Sequence, residues 1–375
     1  WLPGDRDIDL FVRFPTELNR EELESFGLRV GHETLPDGRE EYAEHPYVVG
    51  TFEGFDVDLV PCFDVPDATA IRSAVDRTPF HTEYLRARLD DDLAADVRIF
   101  KQFLTAIGAY GSDLTPPVRL DPEDHGTETF DDPLVVIDPT DPERNVAAVC
   151  SAENVARLQH HARALLAEPE TDRFRPSERE PLSGQAVRDH VARRGTDPVA
   201  VVTEMPDLVD DQLYPQLRRS LAGIERELTE RGFDTLRSAT FATDSPEGDR
   251  EGGQKSGDRR VVFLFELAHA TLPQIERHEG PPVHVDGHAE GFYEKYAESD
   301  AYGPFLDGGR YVVERERDAH DAVAFLRSDG IHEVALGARV EDALQAGYDV
   351  LAGDEVADLT DEFGTELRDY FEPRV

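Results

Sequence analysis

Apolar and polar residues alternate along the first regular segment of the chain, DIDLFVRF, and this period of two predicts a β-strand. Successive side chains of a strand point to opposite faces, so Ile8 and Leu10 share one face while Asp7 and Asp9 share the other. Two carboxylates on one face repel each other. Either a cation between them or solvation of both must make the arrangement tolerable.

The alternation returns in YVVGTFEGFDVDLVPCF, a second predicted strand region, in which Asp56 and Asp58 share a face. The stretch NREELESFGL between the two regions predicts a helix. Because the chain contains 80 acidic residues, a D-x-D pair arises easily by chance, and a solvated strand edge is the alternative. A further aspartate inside an apolar run favours a metal site, since three carboxylates from neighbouring strands can hold two Mg²⁺ ions.

Apolar residues spaced three and four apart predict a helix over about residues 91–107, closed by Gly108. Ser151 is predicted to cap a second helix, AENVARLQHHARALL. Beyond about residue 198 the pattern changes to a long helix, three strands and a helix after Asp318, which indicates a separate α+β domain. The length of 375 residues favours two or three domains.

The net charge of −41 is the most unusual global property of the chain. Such a composition is typical of proteins that work in concentrated salt, where the screening length falls to ~3 Å at 1 M and self-repulsion is weak. Cys62 and Cys150 form neither a disulfide framework nor a CxxC zinc motif, and no apolar run approaches the ~20 residues of a membrane-spanning helix. We therefore expect a halophilic, cytoplasmic protein.

Three further segments carry candidate functional residues. The segment AVDRTPFHTEYL supplies Arg77 and His81, for which the alternative is a capped helix start with incidental polar residues. Lys101 is the only lysine among the first 250 residues, and a compact cation near a triphosphate is one reason for such an exception; chance is the other. The segment HVDGH, residues 284–288, has a spacing that a metal can use, but the glycine and proline around it favour a loop without metal.

Seven blocks occur in order along the chain: WLPGDRDIDLFV, VDLVPCF, SAVDRTPFHTEYL, FKQFLTAIGAYGSDL, DPTDPERNVAA, PDLVDDQLYPQL and LRSATF. In this order they resemble the archaeal CCA-adding enzymes, the class I tRNA nucleotidyltransferases. The resemblance implies template-independent addition of CCA to tRNA 3′ ends from CTP and ATP. Its expected fold is an α+β multidomain protein with a polymerase-β-type nucleotidyltransferase head (residues 1–90), a helical central region that binds nucleotide and primer (91–197) and an α+β, ferredoxin-like tRNA-binding tail (198–375).

The resemblance also assigns individual residues. Asp7, Asp9 and Asp58 match the carboxylates that bind the catalytic Mg²⁺ ions, and this match disfavours Asp56 as the third. His81, Lys101 and Tyr110 match positions that contact the triphosphate and sugar of the nucleotide, and Arg144 in DPERNVAA matches an arginine near the incoming base and the primer. The alternative for Arg144 is an ion pair with Asp138 or Asp141 that only holds the turn together.

Two departures from the family pattern bear on activity. The chain begins at Trp1, after the position of a Gly-Ser motif and an arginine that help to hold the triphosphate, so we expect further residues upstream. It also lacks roughly two dozen family residues after GAYGSDL. A catalytically impaired tRNA-binding remnant is therefore one alternative function, and a poly(A)-type polymerase is another. Beyond tRNA, CTP and ATP, a homodimer partner stays open, and no membrane partner is expected.

Overall fold

The computed structural model describes residues 7–42, 44–109, 130–148, 150–176, 179–208, 210–243 and 259–375. The chain divides into two compact units, one formed by residues 1–178 with Val375 and the other by residues 179–374. Both units combine helices with sheets, so the predicted α+β multidomain class is confirmed. The three-domain division stays a prediction.

A four-stranded sheet with one covering helix begins the first unit. Its elements are β1 (Asp7–Phe14), α1 (Arg20–Thr34), β2 (Arg39–Tyr42), β3 (Pro46–Phe52) and β4 (Phe55–Phe63). The strand order is β1-β4-β3-β2, with β1 parallel to β4 and the other neighbours antiparallel. Helix α1 starts at a capping box, in which the Asn19 side chain accepts from the Glu22 backbone N–H and the Glu22 carboxylate accepts from that of Asn19.

Helix α1 covers only one face of this sheet. Two glycines allow the close approach, because a Cβ on Gly27 would lie 2.5 Å from a side-chain carbon of Pro61, and one on Gly31 would lie 2.4 Å from a methyl carbon of Val48. The apolar faces of the strands pack here in a cluster of buried residues, Leu35, Val48, Val57 and Leu59. The face that carries the aspartates is therefore the one that α1 leaves uncovered.

The rest of the first unit is largely helical. A 3₁₀ turn (Ala74–Arg77) leads into α2 (Thr78–Arg88), and α3 (Asp91–Ala106) follows, capped by the side chain of Asp90. A short hairpin of β5 (Ile137–Asp138) and β6 (Asp141–Asn145) precedes α4 (Ala152–Ala167). The helix predicted over residues 91–107 is confirmed, as is the cap at Ser151, whose side chain accepts from the Asn154 backbone N–H.

The second unit is built on a four-stranded antiparallel sheet of order β13-β7-β9-β8. Its elements are α5 (Gly184–Arg194), β7 (Asp197–Glu204), α6 (Asp210–Glu230), β8 (Thr235–Ala242), β9 (Arg260–Leu267), β10 (Ile275–Pro282), α7 (Asp286–Ala297), β11 (Tyr302–Asp307), β12 (Arg310–Glu316), α8 (Ala322–Leu326), α9 (Ala338–Ala346), β13 (Tyr348–Ala352) and α10 (Thr360–Phe371). Read across the main sheet, its strands are the fourth, first, third and second in chain order, which is the ferredoxin-like arrangement that the resemblance implies.

The central strands of this sheet are buried on both faces. Val199 and Val201 of β7 pack in one apolar cluster, and Ala200 and Val202 pack in another on the opposite side. The segment between β9 and α9 carries a second sheet, of order β10-β12-β11, together with α7. The loop expected for HVDGH is wrong at its second half, because α7 begins at Asp286 and His288 lies in its first turn.

Candidate active site

The parallel pairing of β1 with β4 creates two aspartate rungs on the uncovered face of the first sheet. Asp7 lies opposite Asp56, and Asp9 lies opposite Asp58. Three of these residues are exposed, and Asp58 is half-buried. Because the side-chain period of a strand is two, one register brings all four carboxylates to the same side of the sheet.

The two aspartates of β4 differ in their surroundings. Asp56 lies two residues from a tight hairpin turn that places Gly54 at φ +85°, and its Oδ1 is 3.5 Å from the Oγ1 of Thr51 on β3. Asp58 lies one rung further into the sheet, opposite the apolar Val49. Asp58 is half-buried whereas Asp56 is exposed, so Asp58 is the less solvated of the two residues.

These carboxylates are oxygen donors of the kind that Mg²⁺ prefers, so the donor chemistry of the face fits a divalent metal. They lie as two rungs on adjacent strands. Within the described residues, no group of three His, Cys, Asp or Glu side chains closes around a metal position. The side chains would therefore have to turn towards a bound cation from the positions that the strands give them.

Helix α2 is attached at the end of the two aspartate strands. The buried carboxylate of Asp76, in the turn before α2, accepts hydrogen bonds from the backbone N–H of Phe63 at the end of β4 (2.7 Å) and from those of Arg72 and Ser73 (2.9 Å each). Arg13, on the same face of β1 as Asp7 and Asp9, donates from Nη2 to the Glu83 carboxylate of α2 at 3.1 Å. Both contacts hold α2 beside the aspartate face.

A single buried carboxylate, that of Asp138, organises the polar residues beyond α2. Its Oδ2 is 2.9 Å from Nε2 of His81 and accepts a hydrogen bond from Nη1 of Arg144, also at 2.9 Å. Its Oδ1 accepts from the backbone N–H of Thr140 at 2.9 Å and from the Thr140 hydroxyl at 2.7 Å. The Asp138 side chain is inaccessible to solvent, whereas those of His81 and Arg144 are 31% and 40% exposed.

Hydrogen bonding decides the charge of Asp138. Burial opposes ionisation of the carboxyl group, but the hydrogen bonds from His81, Thr140 and Arg144 outweigh it and hold the pKa of Asp138 well below its usual range. Arg77 lies alongside, with its Nη2 donating to Asp141 at 2.9 Å and its Nε 4.0 Å from Oδ2 of Asp138. The hairpin thus presents an ionised carboxylate surrounded by cationic side chains.

Comparison with known proteins identifies the group to which this arrangement belongs. A nucleotidyltransferase domain family matches residues 1–81, the second domain of tRNA nucleotidyltransferase matches residues 113–175, and the C-terminal domain of CCA-adding enzyme matches residues 194–248 and 249–353. The chain is 55% identical over 405 residues to a CCA-adding enzyme of Haloarcula marismortui, which covers 100% of this chain and 87% of that protein. The CCA-adding enzyme of Methanosarcina barkeri is 34% identical over 385 residues, covering 94% of this chain and 81% of that protein.

The chain belongs to the CCA-adding enzyme family. The predicted resemblance is confirmed, and a match to the C-terminal domain specific to this family argues against a poly(A)-type polymerase. CCA-adding enzymes are tRNA nucleotidyltransferases, so tRNA and nucleotides are the substrate classes. In the described part of the chain, no helix is both long enough and apolar enough to cross a membrane.

The alignment with the Haloarcula CCA-adding enzyme is longer than this chain, 405 positions against 375 residues. Since all of this chain is aligned, the relative contains residues inside the aligned region that this chain lacks. The expectation of an internal deletion agrees with this difference. Its expected place, directly after GAYGSDL, lies within residues 110–129. These residues, which include Tyr110, are outside the described part of the chain.

The structure brings some of the predicted site residues together and leaves others apart. Asp7, Asp9 and Asp58 share one face of two adjacent strands, and His81 and Arg144 share one oxygen of Asp138. Lys101 lies in α3 with a half-buried side chain.

Sequence reasoning considered Asp138 only as an alternative partner of Arg144. That ion pair is present, but the central position of Asp138 was missed, because the contact with His81 spans 57 residues of sequence. The one local signal was the run DPTDPE, in which an aspartate between apolar and turn residues marks the end of a strand.

Proposed function

We propose that this chain adds C, C and A to the 3′ end of tRNA from CTP and ATP, with Asp7, Asp9 and Asp58 as the catalytic carboxylates. The observation that carries the proposal is the parallel register of β1 and β4, which sets Asp9 beside Asp58 on an uncovered face. Helix α2 is attached beside that face, and its His81 meets Arg144 of the hairpin on Asp138. Nucleotide transfer needs carboxylates that hold the metal and donor side chains that bind the triphosphate.

Mg²⁺ is the metal that we assign to the three carboxylates, since hard oxygen ligands suit it and nucleotidyltransferases generally use divalent metals. When bound there, it would lower the pKa of the primer hydroxyl and neutralise charge on the leaving pyrophosphate. Asp7, Asp9 and Asp58 contribute the negative charge that retains the cation. The strand register keeps their backbones in place before any ligand arrives.

The nucleotide contacts are assigned to His81, Lys101, Tyr110 and Arg144. His81 and Lys101 are proposed to contact the triphosphate, and Tyr110 the sugar. Arg144 is proposed to donate hydrogen bonds to the base, because a planar guanidinium presents several donors in fixed directions. Its side chain is 40% exposed while Nη1 is held by Asp138, so the base would approach an anchored group.

The test is incubation of the full chain with tRNA lacking CCA, CTP, ATP and Mg²⁺ in molar KCl, followed by sequencing of the extended 3′ ends. Ordered addition of C, C and A is the expected product. Untemplated runs of A would replace the proposal by a poly(A)-type activity. Omitting Mg²⁺, or substituting Ca²⁺, gives the matched control and should leave the tRNA unextended.

A catalytically impaired tRNA-binding protein is the second candidate. It is favoured by the residues that the Haloarcula relative has and this chain lacks within the aligned region. In the same experiment, binding of tRNA without extension at any Mg²⁺ concentration would select it over CCA addition.

We also propose that the protein works in the cytoplasm, because its only assigned substrates, tRNA and nucleotides, are used there. A homodimer is the remaining proposal about partners. Sedimentation equilibrium in molar KCl tests it directly, since a monomer of 42.0 kDa and a dimer differ twofold in mass.

A further inference from the structure

We propose that Asp138 is a positioning residue which holds His81 and Arg144 in one arrangement, so that phosphate binding and base discrimination depend on a single carboxylate. The inference rests on the nucleotide contacts proposed above for those two residues. It assigns to Asp138 no contact with the substrate.

The first observation is the sharing of one oxygen atom. Nε2 of His81 and Nη1 of Arg144 both lie 2.9 Å from Oδ2 of Asp138, although they come from helix α2 and strand β6. A shift of this oxygen therefore moves both ligands of the nucleotide together. Residues that share a hydrogen-bonding partner are coupled rather than additive in their energetic effects.

The second observation is that the carboxylate cannot turn. Its other oxygen is fixed by two hydrogen bonds from Thr140, and the whole side chain is buried. Asn145 stabilises the hairpin that carries Asp138. Its Oδ1 accepts hydrogen bonds from the backbone N–H groups of Val136 (2.7 Å) and Ala147 (3.0 Å). A rigid acceptor sets the direction of its donors more sharply than a mobile one.

The contact has a defined consequence for His81. The Asp138 carboxylate can only accept at Nε2, so the contact requires a proton on that nitrogen and leaves Nδ1 as the nitrogen that faces a ligand. In the opposite tautomer the proton lies on Nδ1, Nε2 becomes an acceptor that faces the Asp138 carboxylate, and the hydrogen bond between them is lost.

The consequence for Arg144 is geometric. One hydrogen bond to Oδ2 anchors Nη1 of the guanidinium at the exposed edge of the hairpin and restricts the directions of its other N–H groups. A base is distinguished by donors and acceptors at set positions on its edge, so the arginine must present its N–H groups in one plane. Asp138 supplies the fixed point from which those groups extend.

The alternative is that Asp138 only stabilises the hairpin. Asp141 provides a matched control, because it lies in the same hairpin and forms an ion pair with Arg77, in the turn directly before α2, instead of a contact with His81. If both aspartates only stabilise the hairpin, substitutions at the two positions should have the same effects. A positioning role predicts that they differ.

The main test compares Asp138→Asn with Asp141→Asn. Asparagine is isosteric, but if its oxygen keeps the two Thr140 donors, its amide N–H groups point at Nε2 of His81 and Nη1 of Arg144, which are themselves donors. We expect Asp138→Asn to raise the KM for both CTP and ATP by about tenfold and to reduce the selectivity between them, with a smaller change in kcat. Asp141→Asn should change neither the KM nor the selectivity.

A spectroscopic reading does not depend on catalysis. The ¹⁵N signals of His81, assigned by comparison with His81→Gln among the 13 histidines, should report a protonated Nε2 in the unchanged protein and a proton moved to Nδ1 in Asp138→Asn. If the unchanged protein fails to extend tRNA, the proposed function fails, while this signal and equilibrium binding of CTP still test Asp138. Should Asp138→Asn not fold, Thr140→Val, which removes one of the bonds to Oδ1, is expected to shift KM in the same direction.

The same His81 tautomer in both proteins, with an unchanged KM and selectivity, would overturn the proposal. Equal losses in Asp138→Asn and Asp141→Asn would overturn it as well, since they would indicate a purely structural hairpin. Non-additivity gives a final check: His81→Ala should cost little further in KM when it is combined with Asp138→Asn.

Discussion

Asp9 of β1 and Asp58 of β4 lie opposite each other in a parallel strand pair, on the face of the sheet that α1 leaves uncovered. They are 49 positions apart in the sequence, and only the register of the two strands makes them neighbours. A slip of one residue would send every carboxylate of one strand to the opposite, apolar face. The register is held because Val57 and Leu59 are buried against α1.

Replacing Asp58 by alanine should abolish incorporation of both C and A, with a fall on the order of 10³-fold in kcat/KM, because a carboxylate that retains the metal acts in every step. Filter binding of tRNA should remain nearly unchanged, since the residue holds metal and not RNA. Asp56→Ala is the matched control on the same strand face, and we expect a much smaller loss there. Equal loss of tRNA binding and incorporation in Asp58→Ala would contradict the assignment.

Replacing Arg144 by lysine keeps the charge but removes the planar guanidinium, so discrimination between CTP and ATP should decrease by ~1–3 kcal/mol, the size of a lost charged hydrogen bond. Total nucleotide binding should fall less. Competition between labelled CTP and ATP measures the selectivity, and a melting curve of the same variant measures stability. A lower melting temperature with unchanged selectivity would show that the pair with Asp138 only holds the turn together.

Dialysis from molar KCl into dilute buffer should unfold the protein or reduce its activity, and restoring the salt should reverse the loss. The cause is the net charge of −41, whose self-repulsion is screened only at high ionic strength. Circular dichroism during a salt titration gives the measurement. Full helicity and a high melting temperature at about 50 mM salt would refute the expectation.

Glu266 in β9 should make the second unit sensitive to acid. Burial opposes its ionisation, but hydrogen bonds from Arg194, Thr196 and Arg237 outweigh it and lower the pKa of Glu266 in the folded state. A carboxyl group whose folded pKa lies below its unfolded value contributes stability above the unfolded pKa and loses it as the pH falls through the folded one. The contribution is therefore complete at neutral pH and disappears on acidification.

We accordingly expect Glu266→Gln to lower the free energy of unfolding by about 2 kcal/mol at pH 7, less than for a wholly buried pair because both arginines are about a third exposed. The difference from the unchanged protein should shrink as the pH is lowered below the ordinary carboxyl range. Asp342→Asn, which removes an exposed ion pair with Arg339, is the control and should have little effect at any pH. A pH-independent difference for Glu266→Gln would contradict the linkage.

Local patterns in the sequence were sufficient to predict several features of the structure. The period of two places Asp7 and Asp9 on one strand face, and the spacing of apolar residues predicts α3 within one residue of its end. The cap at Ser151 depends only on neighbours within one helical turn. These inferences succeed because the interactions that decide them lie a few residues apart.

The sequence by itself determined the family, the α+β class, the aspartate pairs and the excess of negative charge. Only the tertiary structure decided which strand pairs with which, that α2 is attached beside the aspartate face through Asp76, and that His81 and Arg144 meet on Asp138. The physical reason is that strand register and buried ion pairs depend on packing between residues that are distant in sequence. No local periodicity records which distant carboxylate a histidine or an arginine will find.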